Sequence, residues 1–210
     1  MTIIDRLSSS LGHRDNVQNQ KLAKELAKRE SRKDIEELVQ NLSNKVKAIQ
    51  NDCLKVLYEI GYIKPELVSP YVMEFCNLLR SRNNRLVWGA MIALSTIAEL
   101  EATTIYTQLE WIMEAMENGS VITVDNGVSV LAAVASTNKT YEKKIIPYLL
   151  RHLETCRPKE VAQHAERTLP AIHAGNREDF RKILLTRIDD ISGPQQKRVK
   201  KILKDLDKKF

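Results

Sequence analysis

Ile35-x-x-Leu38-Val39-x-x-Leu42 returns as Val72-x-x-Phe75-Cys76-x-x-Leu79, then as Leu109-x-x-Ile112-Met113-x-x-Met116 and as Ile146-x-x-Leu149-Leu150-x-x-Leu153. The starts at 35, 72, 109 and 146 are 37 residues apart each time. Apolar residues at i, i+3, i+4 and i+7 line one face of an α-helix. A second apolar set follows each first one. Cys53, Leu57 and Ile60 recur as Ala90, Leu94 and Ile97, then as Gly127, Leu131 and Val134; the fourth copy, Ala165, Leu169 and Ile172, is offset by 38. Self-similarity at this period is the mark of stacked helical hairpins. Partial copies, Ile3–Arg29 and Arg177–Phe210, flank the four. The chain therefore reads as one domain of about six helix-hairpin units, at 3–29, 34–61, 71–99, 105–136, 143–174 and 177–208.

Composition agrees with an all-α reading and removes several alternatives. Of 210 residues, 43% are hydrophobic and 29% charged, which excludes a disordered chain, and no segment has the apolar length of a membrane span. Seven glycines, six prolines and no sustained alternation argue against a β-sandwich or barrel. Asp5 and Arg6 interrupt the apolar residues of Met1–Leu11, so a secretory signal is not expected. Cys53, Cys76 and Cys156 are odd in number, far apart and outside any C-x-x-C pair, as free thiols of a reducing compartment would be. The expectation is a soluble cytoplasmic protein.

Local chemistry marks the unit boundaries. Ser31 and Asp34 form a capping-box pattern, and Ser69-Pro70 places a cap residue before a proline at a first helical position. Asn176 precedes Glu178 and Asp179, anions suited to a first turn, and Ser192-Gly193-Pro194 opens the last helix. Gly89, Ala90, Ala93, Ala98, Ala132, Ala133 and Ala135 let second helices approach their neighbours closely. Two stretches depart from the pattern. Val121-Ile122-Thr123-Val124-Asp125-Asn126-Gly127 predicts a late start for the third unit's second helix, and Pro170 predicts a kink or an end in the fourth's.

This pattern resembles the HEAT-repeat (armadillo-like) family, in the manner of its small bacterial-type members. Ile146-Pro147-Tyr148-Leu149-Leu150-x-x-Leu153 is similar to the family's first helix with its internal proline. Ser81-Arg82-Asn83-Asn84-Arg85-Leu86-Val87-Trp88-Gly89-Ala90-x-x-Ala93-Leu94-x-x-Ile97 resembles its turn and second helix, with Trp88 where the family often has arginine. The resemblance covers nearly the whole chain. It implies a right-handed α-α superhelix, a solenoid whose second helices line a concave binding face. It implies little about function, because such motifs specify a fold.

On that frame, the outward positions of the second helices form three rows: Asn51, Trp88, Asp125 and Gln163; Lys55, Ile92, Ser129 and Arg167; Lys47, Asn84, Val121 and Lys159. Trp88 is the prime candidate, either as an exposed anchor for a partner or as a residue packed on an adjacent unit. Asp125 and Asn126 could contact a ligand or cap a late-starting helix. With Asn51, Gln163 and Arg167 they complete the candidate binding face. Trp111 and Tyr148, on first helices, are expected in inter-unit packing or on the convex side.

The net charge of +6 is uneven, with +3 over residues 1–55, −2 over 56–176 and +5 over 177–210. Lys197, Lys200, Lys201, Lys204 and Lys208 share one face of the last helix, opposite Val199, Leu203, Leu206 and Phe210. This face either contacts an anionic partner or solvates the end of the array.

Catalytic constellations are not evident. His152 and Cys156 are spaced to share a metal ion, but no third ligand is spaced to join them. His164 and His173 read as ordinary, partly exposed histidines, Ser8-Ser9-Ser10 has no base beside it, and no Gly-rich phosphate loop occurs. Neither a metal, a small-molecule cofactor nor a membrane is expected. The leading expectation is a non-catalytic scaffold that binds a protein or peptide. Nucleic-acid binding through the basic ends is the alternative. A remote third reading, from the pairing of Trp88 with Asp125, is likeness to HEAT-like alkylpurine DNA glycosylases, although their cluster of tryptophans is missing.

Overall fold

The computed structural model describes residues 2–209, Lys209 by its backbone alone, and among these every regular element is helical. The elements are α1 (Val17–Arg29), α2 (Arg32–Gln40), α3 (Lys47–Ile63), α4 (Val72–Leu78), α5 (Asn84–Ile97), α6 (Ala102–Thr107), α7 (Leu109–Asn118), α8 (Val121–Thr137), α9 (Lys139–Thr155), α10 (Val161–Thr168), α11 (Arg177–Arg187) and α12 (Gly193–Lys209). The four first helices of the repeat are α2, α4, α7 and α9, and the second helices are α3, α5, α8 and α10. The apolar repeat thus corresponds to real hairpins. The segment before α1 holds only a 3-10 turn at Ile4–Arg6, and α6 is a short helix inserted ahead of the third hairpin.

Packing divides the chain into two compact units, Met1–Gly127 and Val128–Phe210. In the first, α3 lies between α1 and α5, and α4 covers α5. Helix α5 is buried almost all round, from Leu86 to Ile97, so apolar side chains occupy most of its circumference. The amino-terminal segment is pinned by Ile3 and Leu7 in the core. The backbone N–H groups of Ser8 and Ser9 donate to Asn19 Oδ1 (2.9 Å) and Asp52 Oδ2 (2.7 Å).

Glycine sets the helix spacing in this unit. A Cβ on Gly89 of α5 would stand 2.7 Å from Leu54 Cδ2 of α3, and one on Gly127 of α8 would overlap the Met116 side chain of α7. A Cβ on Gly61 of α3 would overlap the Thr96 hydroxyl and lie 3.0 Å from Thr96 Cβ. Leu54 and Met116 are flexible at their ends, but Thr96 is β-branched and its Oγ1 already donates to Ala93 O at 2.7 Å.

In the second unit α9 packs on α10 and α11, and α12 packs on α10 and α11. The carboxyl end of α9 is held by Arg187, which is only 7% exposed. Its guanidinium donates to the carbonyls of Leu153 (2.9 Å), Glu154 (2.5 Å) and Cys156 (2.8 Å), while Nε donates to Asp190 Oδ2 at 2.5 Å. Carbonyls that a helix end leaves orphaned are satisfied here by a cation, which the helix dipole also favours.

Several boundary expectations need correction. Helix α8 does not start late. It begins at Val121, with Asp125, Asn126 and Gly127 inside it, because Ser120 caps it: Ser120 Oγ accepts from Thr123 N (3.4 Å) and Ser120 O from Val124 N (3.0 Å). The β-branched residues cost only a few tenths of a kcal/mol each in propensity, and Thr123 and Val128 are fully buried. Asp125 and Asn126 are therefore not caps. Ser31 makes no capping bond to the backbone; its hydroxyl donates to the Asp34 carboxylate. Asn176 also makes no such bond, and its side chain closes the preceding turn, accepting from His173 N (2.9 Å) and donating to Ala171 O (3.0 Å). Asn83 and Asn138 do cap α5 and α9, each accepting from a backbone N–H of the first turn. Pro170 acts as expected: α10 stops at Thr168 and Leu169–Ala171 is a 3-10 turn.

Gly61→Ala is expected to destabilise the protein by about 1–3 kcal/mol through overpacking, more than the ~1 kcal/mol that alanine gains over glycine in a helix. Combining it with Thr96→Ala should restore much of the loss. Urea denaturation of the single and double variants reads both effects.

Candidate functional site

Helices α3 and α5 place an aromatic cluster at the edge of the first unit's core. Trp88 is half-buried, its ring centroid 6.5 Å from that of Tyr58 at a 56° tilt. Tyr58 in turn meets Tyr62 edge-on at 6.3 Å, and the Lys55 ammonium sits 4.6 Å above its ring while ion-paired with Glu59. Burial opposes the charge on Lys55, but its bonds to Glu59 and Tyr58 outweigh this and raise its pKa. The Tyr58 phenol is pushed up by burial. The exposed side of Trp88 bounds a shallow cleft with Asn16, Asn51, Lys55 and Arg85. Trp88 is thus both packed and presented: one face leans on the preceding hairpin and another reaches the cleft.

Amides border this aromatic cluster. Asn51 Oδ1 accepts from Asn83 Nδ2 at 3.3 Å, and Asn83 Oδ1 accepts from Arg85 N at 3.1 Å as the cap of α5. Along α8, Asp125 and Asn126 are half-buried. Asn126 Nδ2 donates to Ile122 O (2.8 Å), and its Oδ1 accepts from Ser95 Oγ of α5 at 3.5 Å. Gln163 and Arg167 belong to the second unit, both half-buried on α10, where Arg167 Nη1 donates to Ser129 Oγ at 2.7 Å. Of the outward rows, Lys47, Asn84, Val121 and Lys159 are exposed, whereas Ile92, expected outside, is buried at 9%. Ile92 faces inward because α5 is enclosed on most sides.

A second cleft was not anticipated. Trp111 of α7, expected to serve packing, carries the Arg80 guanidinium 5.0 Å above its ring. The pair lines a cleft of about 470 Å³ together with Arg82, Asn84, Val87 and Glu114. Its signal in sequence was weak, since Arg80 and Trp111 lie on different hairpins.

The last helix is amphipathic as expected. Lys197, Lys200, Lys201, Lys204 and Lys208 are all exposed, and Val199, Ile202 and Leu206 are buried. Ile202 takes a core position that had been assigned to Leu203, and Phe210 lies outside the described residues. Arg198 ties α12 to α10 through a two-pronged bond to Glu166 (2.8 and 2.5 Å), which holds that carboxyl below its usual range. A groove of about 320 Å³ with Leu169, Ile172, Ile202 and Leu206 on its walls runs beside this pair.

The histidine readings change most. His164 is fully buried, not partly exposed, and its Nδ1 lies 3.1 Å from Nε2 of His152. Cys156 converges on the same point: the donor atoms of His152, Cys156 and His164 all lie within 4.8 Å of one another. A third side chain of a metal-ligating type, which sequence spacing lacked, thus comes from the next helix. His173 is exposed and joined to Glu142 at 2.6 Å. All three thiols are buried. Desolvation pushes Cys53 up to about 12 and Cys76 to about 11, so both are inert as nucleophiles at neutral pH.

The fold has clear relatives among solved structures. One engineered protein superimposes with a TM-score of 0.67 at 18% identity over 99% of this chain and 100% of that chain. A designed armadillo repeat protein, crystallised in complex with the peptide (KR)4, gives 0.65 at 14% identity over 97% and 98%. Another designed armadillo repeat protein gives 0.62 at 16% identity over 97% and 98%. The chain therefore has an all-α, armadillo/HEAT-like repeat fold. No protein-family model matches it, and no curated protein matches it in sequence. Among the described residues no helix is long and apolar enough to cross a membrane.

Trp88→Ala should lower stability by about 1–2 kcal/mol, well short of the ~3–5 kcal/mol typical of a fully buried aromatic. Urea denaturation would show whether Trp88 behaves as a half-presented residue or as core.

Proposed function

We propose that the protein is a non-catalytic scaffold that binds a protein or peptide segment on the face of α3 and α5, with Trp88 as the anchor. The observation that carries this reading is the held aromatic. Trp88 is oriented by Tyr58, Tyr58 is clamped by Lys55, and Asn51 and Arg85 flank the cleft. An aromatic already fixed in place loses little entropy on binding, and amides beside it can bond an extended backbone. Asp125 and Asn126 on α8, in the same compact unit, would extend the contact surface. The peptide bound by a designed armadillo repeat protein of similar fold supports the same class of partner. Three buried free thiols suit a reducing, cytoplasmic setting.

Peptides selected from a displayed random library against the folded protein should lose about tenfold or more in affinity on Trp88→Ala, as at a hot spot. Asn51→Ala should cost less, about 0.5–1.5 kcal/mol for a hydrogen bond. Equal affinity of every selected peptide for wild type and Trp88→Ala would remove Trp88 from the site.

One observation favours a second reading, binding of nucleic acid: five lysines of α12 are exposed on one helix. Binding of a labelled random duplex at low salt, weakening steeply as salt rises and lost on replacing those lysines by glutamine, is its expected result. Absence of binding at low salt would leave the lysines as the solvated face of a terminal helix.

A further inference from the structure

The last turn of α9 and the first turns of α10 bring three metal-ligating side chains to one point. His152 and Cys156 are one helical turn apart, with Cys156 at the carboxyl cap. The 3-10 turn Pro158–Glu160 then folds the chain back, so that His164 faces them from α10. We propose that His152, Cys156 and His164 form a zinc-binding site in the second unit.

Distance is the first support. A tetrahedral zinc ion with Zn–N about 2.0–2.1 Å and Zn–S about 2.3 Å sets its ligand atoms roughly 3.3–3.6 Å apart. His152 Nε2 and His164 Nδ1 already stand 3.1 Å apart, and no pair in the triad exceeds 4.8 Å. Cys156 Sγ, now 3.6 Å from Leu153 O, needs only a shift of about 1 Å to close the set. A hydrogen bond between the two histidines accounts for their approach to each other but not for the thiol converging on both.

Chemistry is the second. Two imidazoles and a thiolate suit zinc and disfavour magnesium or calcium, which take oxygen ligands. Burial holds His152 neutral, with its pKa lowered to about 4 and the nearby His164 adding to the effect, so its ring nitrogen keeps a lone pair at neutral pH. Burial also keeps the Cys156 thiol protonated, an effect that Arg187 opposes. On binding, the thiol proton leaves to solvent as the Zn–S bond forms. Each imidazole keeps its single N–H on the nitrogen away from the ion, Nδ1 of His152 and Nε2 of His164. The carboxylate of Glu160, 8% exposed and paired with Arg157, lies close enough to both histidines to interact with their charged forms. His152 is the half-exposed member of the triad, and a water would complete the fourth position.

The test uses the full-length protein after chelation and removal of the chelator. Cobalt(II) at one equivalent should give the intense visible bands of a tetrahedral ion and a thiolate charge-transfer band, and zinc should displace it and raise the unfolding temperature. Cys156→Ala should abolish the charge-transfer band, while Cys53→Ala and Cys76→Ala keep it. His152→Gln, at a half-exposed position, should weaken zinc binding by about tenfold or more. An octahedral cobalt spectrum without a thiolate band in the wild type, or zinc affinity unchanged in both Cys156→Ala and His152→Gln, would overturn the assignment. Circular dichroism of each variant separates loss of the site from loss of the fold.

Discussion

The close approach of α3 and α5 is the constraint on which the first unit rests. Two glycines, one on each helix, allow it: Gly61 opposite Thr96 and Gly89 opposite Leu54. Each gives up helix propensity, roughly 1 kcal/mol relative to alanine, so that a side chain of the facing helix can pack directly against its backbone. That contact encloses α5, buries Ile92 as well as the repeat positions, and pushes Trp88 and Tyr58 together at the rim. The candidate binding face is thus a consequence of core packing: aromatics that do not fit between closely spaced helices gather at the edge, where one side stays open.

Polar groups settle the ends of the helices. Arg187 gathers three carbonyls at the end of α9, Asn176 closes the turn before α11, Asn83 caps α5, and Ser120 starts α8. Buried and satisfied, such groups cost little; unpaired, each would cost roughly 1–3 kcal/mol. They also aim the chain. Asn83 caps α5 while bonding Asn51, so one amide links a helix start to the candidate cleft. Arg187 anchors the carboxyl end of α9, where Cys156 approaches His152 and His164.

The repeat was legible because burial on a helix face leaves a periodic record. Ile35, Val72, Leu109 and Ile146 are each buried, as are the second-helix series from Cys53 and Ala90, and in the fourth copy Ala165 and Ile172, with Leu169 half-buried. Pro170 was legible as well, since a missing N–H acts locally. The start of α8 was not. β-Branched residues and a glycine read as breakers, and their small propensity costs were outweighed by a serine cap and by burial of Thr123. Nor was the burial of Ile92, because facing outward on one helix says nothing of a second helix that comes to cover it.

The sequence by itself determined the all-α class, the 37-residue hairpin period, the amphipathic last helix and the candidate status of Trp88. These follow from spacing along one chain segment. Only tertiary structure decided that Trp88 leans on Tyr58, that Arg80 covers Trp111, and that His164 joins His152 and Cys156. Each of these contacts joins residues from different helices or, for Arg80, from the turn after α4 and a later helix. Their distance depends on how closely two backbones pack, and that is set by side-chain volumes across the whole interface rather than by any local pattern.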